Sequence, residues 1–150
     1  MKLEDEIKQT KPFKSEVQKM LLNIAFTSSW LNGLIAEKLK PFGISPAQFN
    51  VLKILKGKHP ECYCNQEITH RMIDKSSNAT RIVDKLVEKQ LASRTEDKTD
   101  RRLVNITITQ NGIDLLEQID AVRDASVNPF KNFNPEKAKL INEWLDELRS

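Results

Sequence analysis

Three groups of residues in this 150-residue chain have types and spacings that can do chemistry. The first is Lys98, Asp100, Arg101 and Arg102, in a charged run between two short apolar stretches. Adjacent arginines on a polar loop face water unless an anionic partner meets them, and an aspartate two residues from an arginine can brace it through an ion pair. The second is Ser76, Ser77, Asn78, Thr80, Arg81 and Lys85, where hydroxyls, an amide and two cations crowd one side of a helical pattern. Arginine can grip guanine through two hydrogen bonds, asparagine can do the same with adenine, and lysine meets phosphate. The third is His59-x-x-Cys62-x-Cys64 with His70 further on. These ligand types suit zinc, and two cysteines two apart on a strand face the same way. Their spacing departs from the common Cys-x-x-Cys, so the expectation is no metal and inert thiols, with zinc or thiol-redox sensing as the rival.

The elements that must hold these groups follow from periodicity. A long helix from about Phe13 to Leu39 carries Val17, Leu21, Ile24, Leu31 and Ile35 at three- and four-residue steps, with Leu22, Phe26 and Trp30 beside them. So wide an apolar face calls for several neighbours, within the chain or from a second subunit. Phe26 and Trp30 read as core or dimer interface rather than a ligand cage. Ser45-Pro46-Ala47-Gln48 reads as a capping box with proline at the first helical position. Phe49, Leu52 and Leu55, flanked by Val51 and Ile54, carry the stripe that follows, up to Gly57-Lys58-His59-Pro60.

After a short extended link at Glu61–Cys64, Asn65 is expected to cap a helix over about Gln66–Met72. A second helix is expected over about Ser76–Lys89, with Ala79, Ile82, Val83, Leu86 and Val87 inward. Leu91–Thr95 and Leu103–Thr109 read as strands, the second alternating Val104, Ile106 and Ile108 against Leu103, Asn105 and Thr107. Two more helices close the chain. One is capped by Thr109 and runs to about Val127; the other is capped by Asn134, with Leu140, Ile141, Trp144, Leu145 and Leu148 as its apolar stripe. Two short helices joined by a tight turn and followed by a hairpin form a winged helix-turn-helix.

Composition narrows the function classes. Apolar content of 39% and charged content of 30% fit a soluble globular domain, and the size suffices for a core without metals or disulfides. No apolar run approaches the roughly 18 residues of a membrane span, so no membrane partner is expected. The start at Met1–Glu6 is acidic, without an apolar leader, and the two cysteines fit a reducing cytoplasm, the expected location. The net charge of +3 is unevenly placed: residues 71–102 carry nine Lys/Arg against six Asp/Glu, whereas residues 103–150 carry five against eight. That is permissive for nucleic acid. A Gly-rich phosphate loop, a nucleophile elbow and a paired acid–base motif are all missing from the sequence, so no enzyme is expected.

The run Leu86-Val87-Glu88-Lys89-Gln90-Leu91-Ala92-Ser93-Arg94, then Asp100-Arg101-Arg102, then Ile108-Thr109-Gln110-Asn111-Gly112, resembles the MarR family of bacterial transcription regulators. Ser45–Leu52 matches the family's second helix, and the resemblance covers about residues 15–148. Gln90-Leu91 stands where a Gly-Leu pair is usual, so the helix end must turn without a glycine; Ile108 stands for leucine. The resemblance implies a mainly α (α+β) fold with N- and C-terminal dimerisation helices. In that reading 1–150 is a single domain, 45–108 the DNA-binding part, and 13–39 and 110–149 the dimerisation part. It further implies a homodimer on a pseudo-palindromic double-stranded operator, a repressor released by a small-molecule effector, and no cofactor. Arg102 matches the wing arginine placed in the minor groove, with Asp100 as its brace and Lys98 and Arg101 as backbone contacts. The rival outside this class is a winged-helix protein-interaction module that has lost DNA binding; the polar residues Ser77, Asn78, Arg81 and Lys85 argue against it.

Overall fold

The computed structural model describes residues 1–96, 104–125, 130 and 132–150. They form two compact units, Met1–Ile113 and Asp114–Ser150. The elements run α1 (Leu3–Glu6), α2 (Glu16–Leu39), a 3-10 turn at Lys40–Phe42, α3 (Pro46–Lys58), α4 (Asn65–Arg71), α5 (Ala79–Glu88), β1 (Ala92–Glu96), β2 (Val104–Ile108), α6 (Gln110–Ala125) and α7 (Pro135–Glu147). Among the described residues the fold is mostly helical with a two-stranded antiparallel sheet, in keeping with the two strands expected over 91–95 and 103–109. Helix α1 is not expected from the sequence. Its Leu3 is buried, and Glu4 pairs with Lys19 of α2 at 2.5 Å.

Local chemistry sets most boundaries. Ser45 accepts from Gln48 N at 3.2 Å while Gln48 Oε1 accepts from Ser45 N at 3.0 Å, so α3 starts on the expected capping box. Within α3, Val51, Leu52 and Leu55 are buried, and Phe49, expected on the same stripe, is only half-buried. Helix α4 begins one residue before the position expected. Cys64, not Asn65, is the extended cap residue, and Glu67 reaches back to Cys64 N at 2.8 Å, which places Asn65 inside the first turn. The link before α4 pairs with the wing: Tyr63 and Ile106 exchange backbone hydrogen bonds of 2.9 and 2.8 Å.

The end of α5 turns in the left-handed region at Gln90, φ 58°. Gln90 N donates to Val87 O and Leu91 N to Leu86 O, each at 2.9 Å, the paired bonds of a Schellman motif. A non-glycine residue therefore does make this turn. Thr109 closes the base of the hairpin: its N–H donates to Leu91 O at 3.1 Å, its hydroxyl donates to Gln90 O at 2.7 Å and accepts from Gly112 N at 3.2 Å. A side chain at Gly112 would put its Cβ 2.3 Å from Leu91 O and 2.7 Å from Ile108 Cγ1, so the close approach of α6 to the strand ends requires glycine.

The core of the first unit gathers Val51, Leu52, Leu55, Ile68, Met72, Val83, Leu86 and Ile106, all essentially inaccessible to water. Helix α2 contributes little: of its residues only Leu39 is buried, and Val17, Leu21, Leu22 and Trp30 are exposed. In α7, capped by Asn134 as expected, Leu140, Ile141, Trp144 and Leu148 are exposed as well. No helix among the described residues is long and apolar enough to cross a membrane.

Candidate nucleic-acid interface

The turn between α4 and α5 is built around Asp74. Its Oδ1 accepts from Ser76 N at 2.9 Å and from Ser76 Oγ at 2.6 Å, and its Oδ2 accepts from Ser77 Oγ at 2.6 Å. The Ser76 hydroxyl, then that of Ser77, hold the Asp74 carboxyl below the usual carboxylate range. Side chains that satisfy the backbone this way compete with helix. Ser76 and Ser77 accordingly precede α5 instead of opening it, which corrects the expected start at Ser76.

Asn78 caps α5, its Oδ1 accepting from Arg81 N at 3.0 Å. A two-bond grip on adenine by Asn78 would have to share that oxygen with the cap. Beyond it the helix sorts by face. Ala79, Val83 and Leu86 are buried; Thr80, Arg81 and Lys85 lie on the other side, with Thr80 and Arg81 exposed. Lys85 Nζ lies 3.0 Å from Glu88, a largely solvated ion pair that a phosphate can replace at small cost. The expected reading residues are thus brought together along one edge: Ser76 and Ser77 on the turn, and Asn78, Thr80, Arg81 and Lys85 on the cap and the first turns.

Two residues outside the expected set fix the hairpin against this helix. Arg94 of β1 pairs through Nη1 with Asp84 and donates through Nη2 to the Thr80 carbonyl at 3.3 Å. A separation of ten residues across a helix end leaves no local pattern, so in the sequence Asp84 reads only as a surface charge. Asp74 has a readable signal, since an aspartate two and three residues before serines is a turn former. Lys89, at the end of α5, donates to the Gly43 carbonyl and to Gln48 Oε1, the latter at 3.2 Å.

The strands pair from Ala92↔Ile108 to Glu96↔Val104. Lys98, Asp100, Arg101 and Arg102 fall in the connection between these ends and lie outside the described residues. Near the start of α4, the buried Tyr63 ring has two cations over it, Lys58 Nζ at 4.5 Å and the Arg71 guanidinium at 5.4 Å from its centre. Cys62 and Cys64 are free thiols, each half-buried. Among the described residues no group of three or more His, Cys, Asp or Glu is placed to hold a metal ion.

A helix-turn-helix whose second helix carries an exposed polar edge, locked to a following hairpin, defines a winged helix. The model of the MarR family matches residues 44–104. The transcriptional regulator MhqR of Bacillus subtilis is 34% identical over 132 residues, covering 86% of this chain and 87% of the relative. The transcriptional repressor MdtR of the same organism is 35% identical over 104 residues, covering 69% of this chain and 66% of MdtR. Among solved structures, a single-residue mutant of MarR from E. coli complexed with operator DNA superposes with a TM-score of 0.76 at 23% identity, covering 92% of this chain and 99% of that one. The chain belongs to the MarR family.

Proposed function

We propose that this regulator works as a homodimer on a pseudo-palindromic double-stranded operator, with α5 of each protomer in the major groove and each wing reaching the flanking minor groove. The observation that carries the reading is the polar edge from Ser76 to Lys85, set opposite a buried apolar face and tied to the wing by Arg94 and Asp84. Arg81 reads a base edge, Lys85 meets phosphate, and Arg102, braced by Asp100, enters the minor groove, with Lys98 and Arg101 on the backbone. Two recognition helices then sit about 34–36 Å apart, one turn of the duplex. MdtR is named a repressor and E. coli MarR has been crystallised on operator DNA, which supports a repressor reading for this chain too.

The dimer reading is supported by apolar side chains that each helix leaves in water: Val17, Leu21 and Trp30 of α2, and Leu140, Ile141 and Trp144 of α7, the most exposed being Trp144 at 68%. In this reading 13–39 and 110–149 form the dimerisation part, 45–108 the DNA-binding part of one domain, and the binding of a small molecule releases DNA in the cytoplasm. The chain has no enzymatic role in this scheme.

The test is a gel shift with the DNA upstream of the chain's own gene. Arg81→Ala and Arg102→Ala should each weaken binding by about 1–3 kcal/mol and reduce the salt slope by about one per half-site. Unchanged binding and slope for both would refute the interface. Trp144→Asp should give a monomer in sedimentation and abolish cooperative binding to two half-sites; a stable dimer would refute α7 as dimerisation surface.

A further inference from the structure

The hydroxyls of Ser76 and Ser77 are poor phosphate ligands as the structure holds them. A serine hydroxyl has one proton and two lone pairs, and a carboxylate has acceptors only. At 2.6 Å from Asp74 Oδ1 and Oδ2, each serine therefore gives its single proton to Asp74 and presents lone pairs to any other partner. Phosphate oxygens are acceptors too, and so are guanine O6 and N7, adenine N7 and thymine O4. None of them can bond a hydroxyl held this way. In the major groove the donors are the exocyclic amino groups, N6 of adenine and N4 of cytosine.

We infer that Asp74 is a specificity-determining positioning residue: it turns Ser76 and Ser77 into acceptors that read adenine or cytosine amino groups and keeps the turn from gripping phosphate indiscriminately. The inference rests on the interface proposed above. Several features of the site agree. The same hydrogen bonds hold the carboxyl in its ionised form. The ammonium of the neighbouring Lys75 is turned to the end of α4, onto the His70 carbonyl and, at 3.4 Å, that of Thr69. Asp74 and Ser76 are exposed and Ser77 half-buried, so an incoming duplex meets the triad. A phosphate that took either serine proton would also approach the anion that had held it. The turn thus penalises non-specific contacts at the point where the recognition helix begins.

The experiment uses the full chain. An operator half-site pair is first selected from random duplexes, and binding to it and to a random duplex of equal length is then followed by fluorescence anisotropy across salt. For Asp74→Ala, binding to the random duplex should tighten several-fold and its salt slope steepen by about one per half-site, because an anion beside phosphate is lost and two donors are released. The operator-to-random ratio should fall by about tenfold. Asp74→Asn keeps the shape but offers one acceptor and one donor group, so one serine must turn its proton outward and the ratio should fall part of the way. In the wild type, replacing single half-site adenines or cytosines by analogues without the exocyclic amino group should cost about fivefold at one or two positions. The double variant Ser76→Ala/Ser77→Ala should be indifferent to those replacements.

If both Asp74 variants weaken the two duplexes by one common factor with unchanged slopes, Asp74 only shapes the turn and the inference is overturned. If the double serine variant keeps full affinity and the same response to the base analogues, the two serines do not face bases. Failure of both Arg81→Ala and Arg102→Ala to affect binding would instead remove the interface itself, so the two failures are told apart.

Discussion

Replacing Arg94 tests whether the wing is held by the recognition helix. The Arg94 and Asp84 side chains are 29% and 45% exposed, between a surface pair and a buried one. Exposed pairs couple by about 0.2–1 kcal/mol, and stranding a fully buried charge costs about 3–5 kcal/mol. At intermediate burial the coupling between the two should be about 1 kcal/mol. Arg94→Met also loses the bond to the Thr80 carbonyl, worth about 0.5–1 kcal/mol, so the single variant should lose about 2 kcal/mol in total. Urea unfolding of wild type, Arg94→Met, Asp84→Asn and the double variant closes a double-mutant cycle and isolates the pairwise part. The double variant, which removes both charges of the pair, should bind operator more weakly while keeping the salt slope, because Arg94 and Asp84 neutralise each other and together contribute no free cation to DNA. A coupling below about 0.3 kcal/mol, or a slope that falls by one in the double variant as it should for Arg81→Ala, would refute this account and put Arg94 on the DNA.

Three further outcomes follow from single positions. Gln90→Gly should stabilise the protein by about 1 kcal/mol, because Gln90 holds φ 58° where an L side chain is strained; in a chain of this size that is about 2–4 °C in thermal unfolding. Gly112→Ala should destabilise by about 1–3 kcal/mol in urea unfolding, since its Cβ meets a backbone oxygen already fixed by Thr109 N. The third concerns acid: Glu67 is held below the usual carboxylate range, first by the Cys64 backbone N–H and then by the Cys64 side chain. A depressed folded-state pKa contributes stability above the unfolded value and loses it as pH falls through the folded one. Glu67→Gln should therefore flatten the acid limb of the stability profile, and an unaltered limb would show that the cap does not matter to stability.

The helical stripes, the Ser45 capping box and the alternation over 103–109 are local, and each is legible because the side chains involved lie two to four residues apart on one element. The Gln90 turn is legible only through the family resemblance, which places a Gly-Leu pair where Gln90-Leu91 stands; the glutamine itself carries no signal for left-handed backbone. Two kinds of feature are not. Where several residues can cap, the choice depends on which side chain reaches first. Glu67 decides for Cys64 over Asn65, and Asp74 draws Ser76 and Ser77 out of the helix they are expected to open. Contacts between elements, such as Arg94 with Asp84 and Lys89 with Gly43, depend on packing angles that no spacing encodes. The side chains of Trp30 and Trp144 show a further limit: apolar periodicity marks a face for burial without saying which molecule buries it.

Lys89 has a mechanical consequence. Its ammonium holds both the carbonyl of Gly43, at the left-handed residue where the chain leaves α2, and the side chain that completes the first turn of α3. The carboxyl end of α5 is therefore tied to the turn that joins the long helix to α3. Arg94 fastens the middle of the same helix to β1. Helix α5 is thus tethered by side chains at its end and at its middle, so its position is tied by hydrogen bonds to the Gly43 turn on one side and to β1 on the other.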